Sequence, residues 1–487
     1  MCLNGSGERQ HRQQPKDRAE RQQRERTQEE RQRMLRDNRR SLLPFAANRI
    51  DYRVTSRACD RPDPAALSPV SERSQPLDAG NELTHNRYTK QGHMMRLERA
   101  NNVADLRQMA RRRLPRPIFD YIDGGADDEV SLRRNVTAFA DYELVPDVLN
   151  DVSDIRTETT IFGQPSRWPL MLSPTGLTRM FHGHAELAVA RAAARHGLLY
   201  SLSTMGTTRL EDLAQAFAGP KVFQIYIFKD RGLTAEFVAR CREAGFHGLA
   251  LTVDTPVAGN RERDRVSGLS LPPTLTLRSL LSFALHPSWS LPALTGSKFD
   301  LANVSHKVDA LAAGPMSLFD YIGGQFDRSV DWRDVEWLAR EWHGPLAIKG
   351  VMTPEDARRS IASGATGVMI SNHGGRQLDG APAPIDQIEA VRNAVGDGPD
   401  VICDGGIRRG SDVVKALALG ATACSIGRPY LFGLAAGGEA GVDRLLTILR
   451  TEFERTLILA GINDVAAVSR RHVRHRQGGS RSGILFR

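Results

Sequence analysis

Short apolar runs recur along most of the chain, each bounded by glycine, proline or a polar residue. They are Pro169–Ser173, Leu198–Ser203, Val222–Tyr226, Leu249–Val253, Leu346–Lys349, Gly367–Ser371, Val401–Asp404 and Ala423–Gly427. The stretches between them have helical periodicity and stop at glycine: His184–His196 before Gly197, Thr234–Ala244 before Gly245, Asp331–Trp342 before Gly344, Pro354–Ser363 before Gly364, and Ser411–Leu419 before Gly420. Glycine tolerates the left-handed turn that closes many helices. Strands without polar alternation are buried on both faces, so the pattern predicts a parallel sheet covered by helices. Eight such strands predict an α/β fold closed as a (β/α)8 TIM barrel rather than an open doubly wound sheet. Upstream, Val103, Leu106, Met109 and Ala110 share one helical stripe that ends in the arginines of 111–113, where a helix terminus favours cations. Downstream, Gly441–Leu457 is a further helical pattern expected to close the barrel.

Two segments break the rhythm. Residues 267–325 separate the fourth and fifth predicted strands, too long for an ordinary loop. The segment carries Leu280-Leu-Ser-Phe-Ala-Leu285-His-Pro-Ser-Trp289-Ser-Leu291, apolar but interrupted by Pro287. A lid, a subunit interface and a monotopic membrane patch are all consistent with it. Residues 1–95 begin with a tract rich in Arg, Gln and Glu that has no face to bury, followed by Pro, Ser and Asp with few aliphatics, and are expected to be disordered. They read as an arginine-rich tether, a dispensable tail, or a misplaced start before Met94 or Met95. The expected division is therefore 1–95 extension, 96–470 barrel and 471–487 basic tail, with the chain expected to be unstructured from Arg470.

Composition narrows the function classes. The 487 residues carry a formal net charge of +9, but much of the arginine lies in the first hundred residues and no basic stripe is interleaved with aromatics, which argues against nucleic acid. The five cysteines lack metal-ligand or disulfide-framework spacing, so no metal is expected and a reducing compartment is. No run approaches the roughly 18 apolar residues of a membrane span, and a cytoplasmic protein, in solution or peripheral to the inner face of the cell membrane, is expected.

A barrel places its chemistry at the carboxyl ends of its strands. Those ends read Pro174-Thr175-Gly176, Ser203, Gln224 and Tyr226, Thr252 and Asp254, Lys349, Asn372 and His373, Asp404-Gly405-Gly406, and Gly427-Arg428. His373 and Arg376, on the glycine-loosened stretch Ser371–Gln377, can converge on one small acid as a base and a bidentate carboxylate clamp. Taken alone, His373 could merely cap a strand and Arg376 be a solvated charge. Lysine, aspartate and histidine all closing apolar strands favour a site. Asp254 completes a base-and-orienter pair with His373 if their strand ends face one another, and Arg261 supplies a second guanidinium. Asp404-Gly405-Gly406-Ile407-Arg408 with Gly427-Arg428 suits a phosphate monoester at strands seven and eight. A phosphate-tailed cofactor in a barrel is flavin mononucleotide (FMN) or pyridoxal phosphate, and Lys349 fits either, as a fixed cation or a Schiff-base lysine. Gln224 and Thr252 have the donor and acceptor character of a partner for a flavin ring edge. Tyr121, in the aromatic stretch before Gly124, reads as core or as a residue delivered to the site.

Together, Ser371-Asn-His-Gly-Gly-Arg-Gln-Leu-Asp379, Leu251-Thr-Val-Asp-Thr-Pro256, Lys349-Gly350, Asp404-Gly-Gly-Ile-Arg-Arg-Gly410 and Gly427-Arg-Pro429 resemble the FMN-dependent L-2-hydroxy-acid dehydrogenase and oxidase family over about Asn101 to Val468. The resemblance implies His373 as catalytic base with Asp254 as partner, Arg376 and Arg261 on the substrate carboxylate, and Tyr121 and Tyr226 on substrate. It implies Lys349 beside the flavin, Pro174, Thr175, Gly176, Ser203, Gln224 and Thr252 around the ring, and Asp404, Gly405, Gly406, Ile407, Arg408, Gly427 and Arg428 at the ribityl phosphate. Gly176 stands where glycolate oxidases typically carry alanine, which resembles the dehydrogenase branches. The long insertion is similar to quinone- or cytochrome-linked bacterial lactate and mandelate dehydrogenases. Asp320-Tyr-Ile and Asp331–Trp337 lean towards the lactate branch. The expected activity is L-lactate to pyruvate with a quinone or cytochrome acceptor, in a homotetramer. An oxygen-using oxidase, an (S)-mandelate dehydrogenase and a flavin-binding protein with an inactive site are the alternatives.

Overall fold

Residues 97–268, 276–295, 301–304 and 324–476 are described by the structure, a computed structural model. The expected extension 1–95, the Asp320-Tyr-Ile motif, and residues 477–487 of the expected basic tail lie outside the described residues. The strands are β1 (Tyr142–Leu144), β2 (Thr159–Ile161), β3 (Gln164–Ser166), β4 (Leu170–Leu172), β5 (Leu199–Ser203), β6 (Lys221–Ile225), β7 (Gly248–Thr252), β8 (Leu346–Val351), β9 (Gly367–Ile370), β10 (Asp400–Asp404), β11 (Ala423–Ile426) and β12 (Val473–His475). β4 to β11 form a closed parallel barrel, β11 pairing back onto β4 through Cys424↔Leu170, Ser425↔Met171 and Ile426↔Leu172. All eight predicted strands are therefore present in the predicted order.

The barrel interior explains why its strands read as unbroken apolar runs. Met171, Leu199, Val222, Ala250, Ala347, Met369, Ile402 and Ala423, one from each strand, pack into a single cluster with Ile161 and Phe162 from the β2–β3 hairpin beneath them. Asp400 Oδ2 accepts from the Phe162 amide at 2.8 Å and pins this floor. Successive side chains alternate across a strand, so the residues two positions further on share the same inner face. These are Ser173, Ser201, Gln224, Thr252, Lys349, Ser371, Asp404 and Ser425, all buried. An apolar floor thus carries a polar layer, one residue per strand, at the carboxyl ends.

The surrounding helices follow the expected periodicity. Trp332–Trp342 begins with an Asp331–Asp334 capping box, and Thr353 caps Pro354–Ala362 by accepting from the Asp356 amide, interactions that satisfy otherwise unpaired N–H groups. Arg116–Asp123 and Val130–Thr137 carry Tyr121 and Asn135 over the barrel mouth. The closing helix is longer than the Gly441–Leu457 pattern. It runs Arg428–Leu459 with a kink at Gly437 and Gly438, whose backbone leaves the helical region, and that break hides the first half from periodicity. The expectation that the chain is unstructured from Arg470 is corrected. β12 pairs antiparallel with β1, Tyr142 meets the His475 ring edge-on at 5.0 Å, and His472 is buried. A three-residue strand in a basic run carries no periodic signal, so its partner decides its structure.

Between β7 and β8 the described residues form helices Glu262–Ser267, Leu277–Ala284 and Pro287–Thr295. Trp289 Nε1 donates to Met180 O at 2.8 Å, and Ser282 Oγ accepts from the Arg116 amide at 2.8 Å, fixing this region beside the mouth. Further on, an isolated bridge Phe228↔Phe326 and the ion pairs of Arg231 with Asp327 (2.9 Å) and Asp334 (3.0 Å) attach the chain before β8 to the β6 loop.

Candidate active site

The polar layer opens into a cavity of ≈ 840 Å³ at the carboxyl ends of the strands. Every site residue picked from the sequence lines it except Asp254, which stands behind His373. His373 Nδ1 lies 2.9 Å from Asp254 Oδ1. The histidine backbone is left-handed, φ 57°, a conformation that costs a non-glycine residue on the order of 1–3 kcal/mol and collects at functional positions. Three contacts impose it: the His373 amide donates to Ser371 Oγ (3.1 Å), and Gln377 Nε2 ties the β9 loop to Asp254 O (3.0 Å) and Val257 O (2.8 Å). Gly350, at φ +108°, makes room for the carboxylate, since a Cβ there would stand 2.8 Å from Asp254 Cβ. Burial alone would raise the Asp254 carboxyl, but His373 and, more weakly, Lys349 hold it below its ordinary value. An ionised Asp254 can only accept, so Nδ1 carries the proton and Nε2 is left as the basic nitrogen.

Two guanidinium groups share one aromatic ring beside this pair. Arg376 Cζ lies 4.9 Å and Arg261 Cζ 5.2 Å from the Tyr121 centroid, within cation–π range. Arg376 Nη1 donates to Tyr121 O (2.7 Å) and Gly124 O (3.1 Å), which fixes it against the turn after Arg116–Asp123. Tyr226 is buried next to them, its hydroxyl pushed up by burial and by the Asp254 carboxylate.

The cation of the polar layer is Lys349. Its Nζ is 3.0 Å from Asp404 Oδ2 and 3.0 Å from Ser371 Oγ, while Asp404 also accepts from Ser371 Oγ and Ser173 Oγ, both at 2.8 Å. Burial opposes both charges. Asp404 and Asp254 nevertheless hold the lysine above its usual value, and Lys349, Ser371 and Ser173 hold the Asp404 carboxyl below its own. Lys349 is therefore a fixed cation rather than a free amine.

The remaining lining fits a phosphate-tailed flavin. Ser203 Oγ occupies Gln224 Oε1 at 2.8 Å, but Gln224 Nε2, Thr252 Oγ1 and Ser425 Oγ are buried polar atoms with no partner among the described residues. Such atoms are costly unless a ligand pairs with them, and a flavin ring edge offers both donors and acceptors. At the other end, Arg408 and Arg428 are half-buried cations. Burial pushes Arg408 down to about 10. Burial and then Arg376 and Arg408 push Arg428 well down. Cations crowded in this way favour an anion. Gly406 is held at φ +83°, where a Cβ would stand 2.1 Å from Asn135 O, so bare backbone faces the cavity beside Gly405 and Ile407. Gly427 caps the helix Arg428–Leu459, whose N-terminus faces the same region and favours negative charge. Pro174, Thr175 and Gly176 form the adjoining wall, since β4 pairs with β11. Thr175 Oγ1 is 2.7 Å from the Tyr430 hydroxyl, and an added Cβ at Gly176 would be 2.9 Å from Met205 Cβ. Among the described residues no His, Cys, Asp and Glu cluster could hold a metal.

The arrangement combines a base oriented by a carboxylate, two cations for an anion and a third fixed cation. It is suited to removing a proton beside a bound carboxylate. Several of its members are absent from the sequence reading. Asn135 exchanges two 2.7 Å hydrogen bonds with Asn372 and so holds the β9 loop. Tyr430 donates to Ser173 O at 2.8 Å. Ser173, Ser201, Ser371 and Ser425 follow from the two-residue step beyond the apolar floor, whereas Asn135 and Tyr430 carry no sequence signal.

Comparison with known proteins agrees with this geometry. A family model described as FMN-dependent dehydrogenase matches residues 110–475. A putative L-lactate dehydrogenase of Mycobacterium tuberculosis is 43% identical over 379 residues, covering 78% of this chain and 90% of the relative. An L-lactate dehydrogenase of Xanthomonas campestris pv. campestris is 43% identical over 371 residues, 75% of this chain and 95% of its own. Among solved structures, the monotopic membrane protein (S)-mandelate dehydrogenase superposes with a TM-score of 0.73 at 37% identity, covering 77% of this chain and 100% of that one. A mandelate oxidase bound to (S)-mandelic acid gives 0.66 at 35%, covering 78% and 99%.

Proposed function

This chain belongs to the FMN-dependent dehydrogenase family, and from that premise we propose that it oxidises an L-2-hydroxy acid, L-lactate, to the 2-oxo acid and passes the electrons to a quinone or cytochrome. The choice of lactate rests on relatives named for that substrate at 43% identity over most of both chains. The observation that carries the reaction type is one cavity lined by His373, with Asp254 behind it, and by Arg261 and Arg376 against Tyr121.

In this reading Arg261 and Arg376 bind the substrate carboxylate and fix the carbon that carries the hydroxyl. Tyr121 and Tyr226 orient the substrate from either side. His373 Nε2 takes the substrate proton, and Asp254 stabilises the resulting imidazolium, the charge that develops as the proton moves. The FMN, when bound, supplies the two-electron acceptor for the substrate carbon. Gln224, Thr252 and Ser203 would hold its ring edge, Lys349 would present a fixed cation to the ring, and Arg408, Arg428 and the amides of Asp404–Ile407 and Gly427 would hold its phosphate. Tyr226, Phe326 and Met205 line the cavity with apolar surface, which excludes water from the reacting groups.

We also propose peripheral membrane contact through the residues between β7 and β8, and a homotetramer by the family resemblance, testable by light scattering. Among the described residues no helix is long and apolar enough to cross a membrane.

The deciding experiment is anaerobic. L-lactate, L-mandelate and glycolate are added separately to the yellow protein, the flavin absorbance is followed, and air is then admitted. Bleaching by lactate with slow recovery in air is expected. Preferential bleaching by mandelate would transfer the reading to the mandelate branch, which the solved neighbours favour. Rapid recovery in air would make the protein an oxidase, and no bleaching by any of the three acids would overturn the catalytic assignment.

A further inference from the structure

Asp264 lies in the first turn of the short helix Glu262–Ser267 that begins beside the clamp residue Arg261. It is only 5% exposed, and among the described residues neither of its carboxylate oxygens accepts a hydrogen bond. Arg261 Nε stands 3.5 Å from Oδ2, within reach of charge attraction. The surrounding charges are Arg376 and Arg261, which attract it, Asp120, which repels it, and Arg263. Arg263 is already committed to Asp123 at 2.9 Å and to Glu129. A buried carboxylate without a hydrogen bond is an expensive arrangement, and burial raises the Asp264 carboxyl in spite of the guanidinium groups. Its cationic neighbours are Arg261, 3.5 Å away, and Arg376, whose charge also acts on it; the two guanidinium groups both stand against the Tyr121 ring and repel one another.

We propose that Asp264 is the internal counter-anion of the Arg261–Arg376 clamp, competing with the carboxylates of substrate and product for the same two cations and thereby keeping the 2-oxo acid from being held too tightly. The inference rests on the proposed role of that clamp. Its geometry is that of a loose ion pair: close enough to lower the field of the empty clamp, and without the hydrogen bonds that would hold Arg261 against an incoming carboxylate. Asp264 touches no reacting atom. It is a positioning residue that acts through the arginines.

The consequence has an unusual sign. Removing a merely structural side chain loosens ligand binding, whereas removing this charge leaves a bound acid as the only anion facing two cations. In Asp264→Asn holoenzyme, titrated calorimetrically with oxalate and with pyruvate, the dissociation constants are expected to fall about tenfold, equivalent to about 1.4 kcal/mol, with product inhibition tightening in parallel. Asp264→Glu, which restores the charge, is expected to return towards wild type. Asp264→Ser removes the charge with less bulk should asparagine not be accommodated. Binding unchanged or weaker in both neutral variants would overturn the inference and leave the clamp standing. A separate outcome, oxalate binding to wild type and Arg261→Gln alike, would overturn the reading of the clamp itself.

Discussion

At the scale of single residues, the site is a set of charges each held in one protonation state by a named neighbour. Asp254 stays ionised because His373 and Lys349 outweigh its burial, which directs the basic nitrogen of His373 towards the cavity. His373→Gln preserves a polar side chain while removing the base. It is expected to leave FMN bound, with an ordinary flavin spectrum, and to slow anaerobic reduction on the order of 10²- to 10⁴-fold, the usual worth of a general base. A reduction rate equal to wild type would remove His373 from the mechanism. The Lys349–Asp404 pair makes a second prediction, about stability. The Asp404 carboxyl lies below its ordinary value in the folded state. Its contribution is therefore complete above the unfolded value of about 3.9 and is lost as pH falls through the folded value. Lys349 lies above its ordinary value, so its share is complete below about 10.4 and lost as pH rises through the folded one. Asp404→Asn leaves the buried lysine without its direct ion-pair partner and should cost about 3–5 kcal/mol near neutrality. In denaturant melts the gap from wild type should narrow only as pH falls below about 3.9, towards the folded value. A gap that does not narrow would mean that packing, not charge, sets the value of the pair.

At the scale of elements, the sequence made the barrel legible and the lining only partly so. Continuous apolar runs identified the strands because each packs outward on helices and inward on the floor of Met171, Leu199 and their counterparts. The glycines that ended the predicted helices fixed their limits. The β2–β3 hairpin was not legible, because three-residue strands show no period. Asn135 was not either, because its partner Asn372 is distant in sequence and a single asparagine in a helix signals nothing. The two arginines proposed to hold the phosphate show how an element sets what a residue does. Arg428, at the start of the closing helix, donates to Ile122 O (2.9 Å), Gly374 O (2.8 Å) and Gly124 O (2.7 Å), joining the β9 loop to the turn below Tyr121. Among the described residues the Arg408 guanidinium donates to Ile407 O alone. Arg408→Ala should therefore weaken FMN binding to the apoprotein by roughly 10- to 100-fold, the loss of charge-assisted hydrogen bonds, with little change in the melting temperature of the apoprotein. Arg428→Ala should weaken binding and lower that melting temperature as well. Fluorescence titration with FMN and melts of the two apoproteins separate the roles, and equal behaviour would contradict the assignment.

At the scale of the whole molecule, the question is what the residues between β7 and β8 face. One side of Leu277–Ala284 is anchored: Ser279 is buried, Ser282 is bonded to the Arg116 amide, and Phe283 lies 5.5 Å from the Trp289 ring, whose indole is tied to Met180 O. The other side is apolar and open, with Leu277 86%, Leu281 60% and Leu285 68% exposed, joined by Leu291 at 61%. Leucines at this density on a surface already fixed to the barrel cost free energy in water, about 1.5–3 kcal/mol for each side chain when fully buried elsewhere. A bilayer interface, a neighbouring subunit and a closing lid would each recover it, and the three predict different losses. Leu281→Asp with Leu285→Asp should abolish co-flotation of the protein with phosphatidylglycerol vesicles, because an interfacial contact depends on its buried apolar area. The same variant should reduce its flavin with L-lactate at the wild-type rate and keep its mass in solution. A change in mass would assign the patch to a subunit interface, and a slowed reductive step would make it a lid. Flotation equal to wild type would exclude it as the membrane contact, because two buried carboxylates cannot be carried into the interface without large cost.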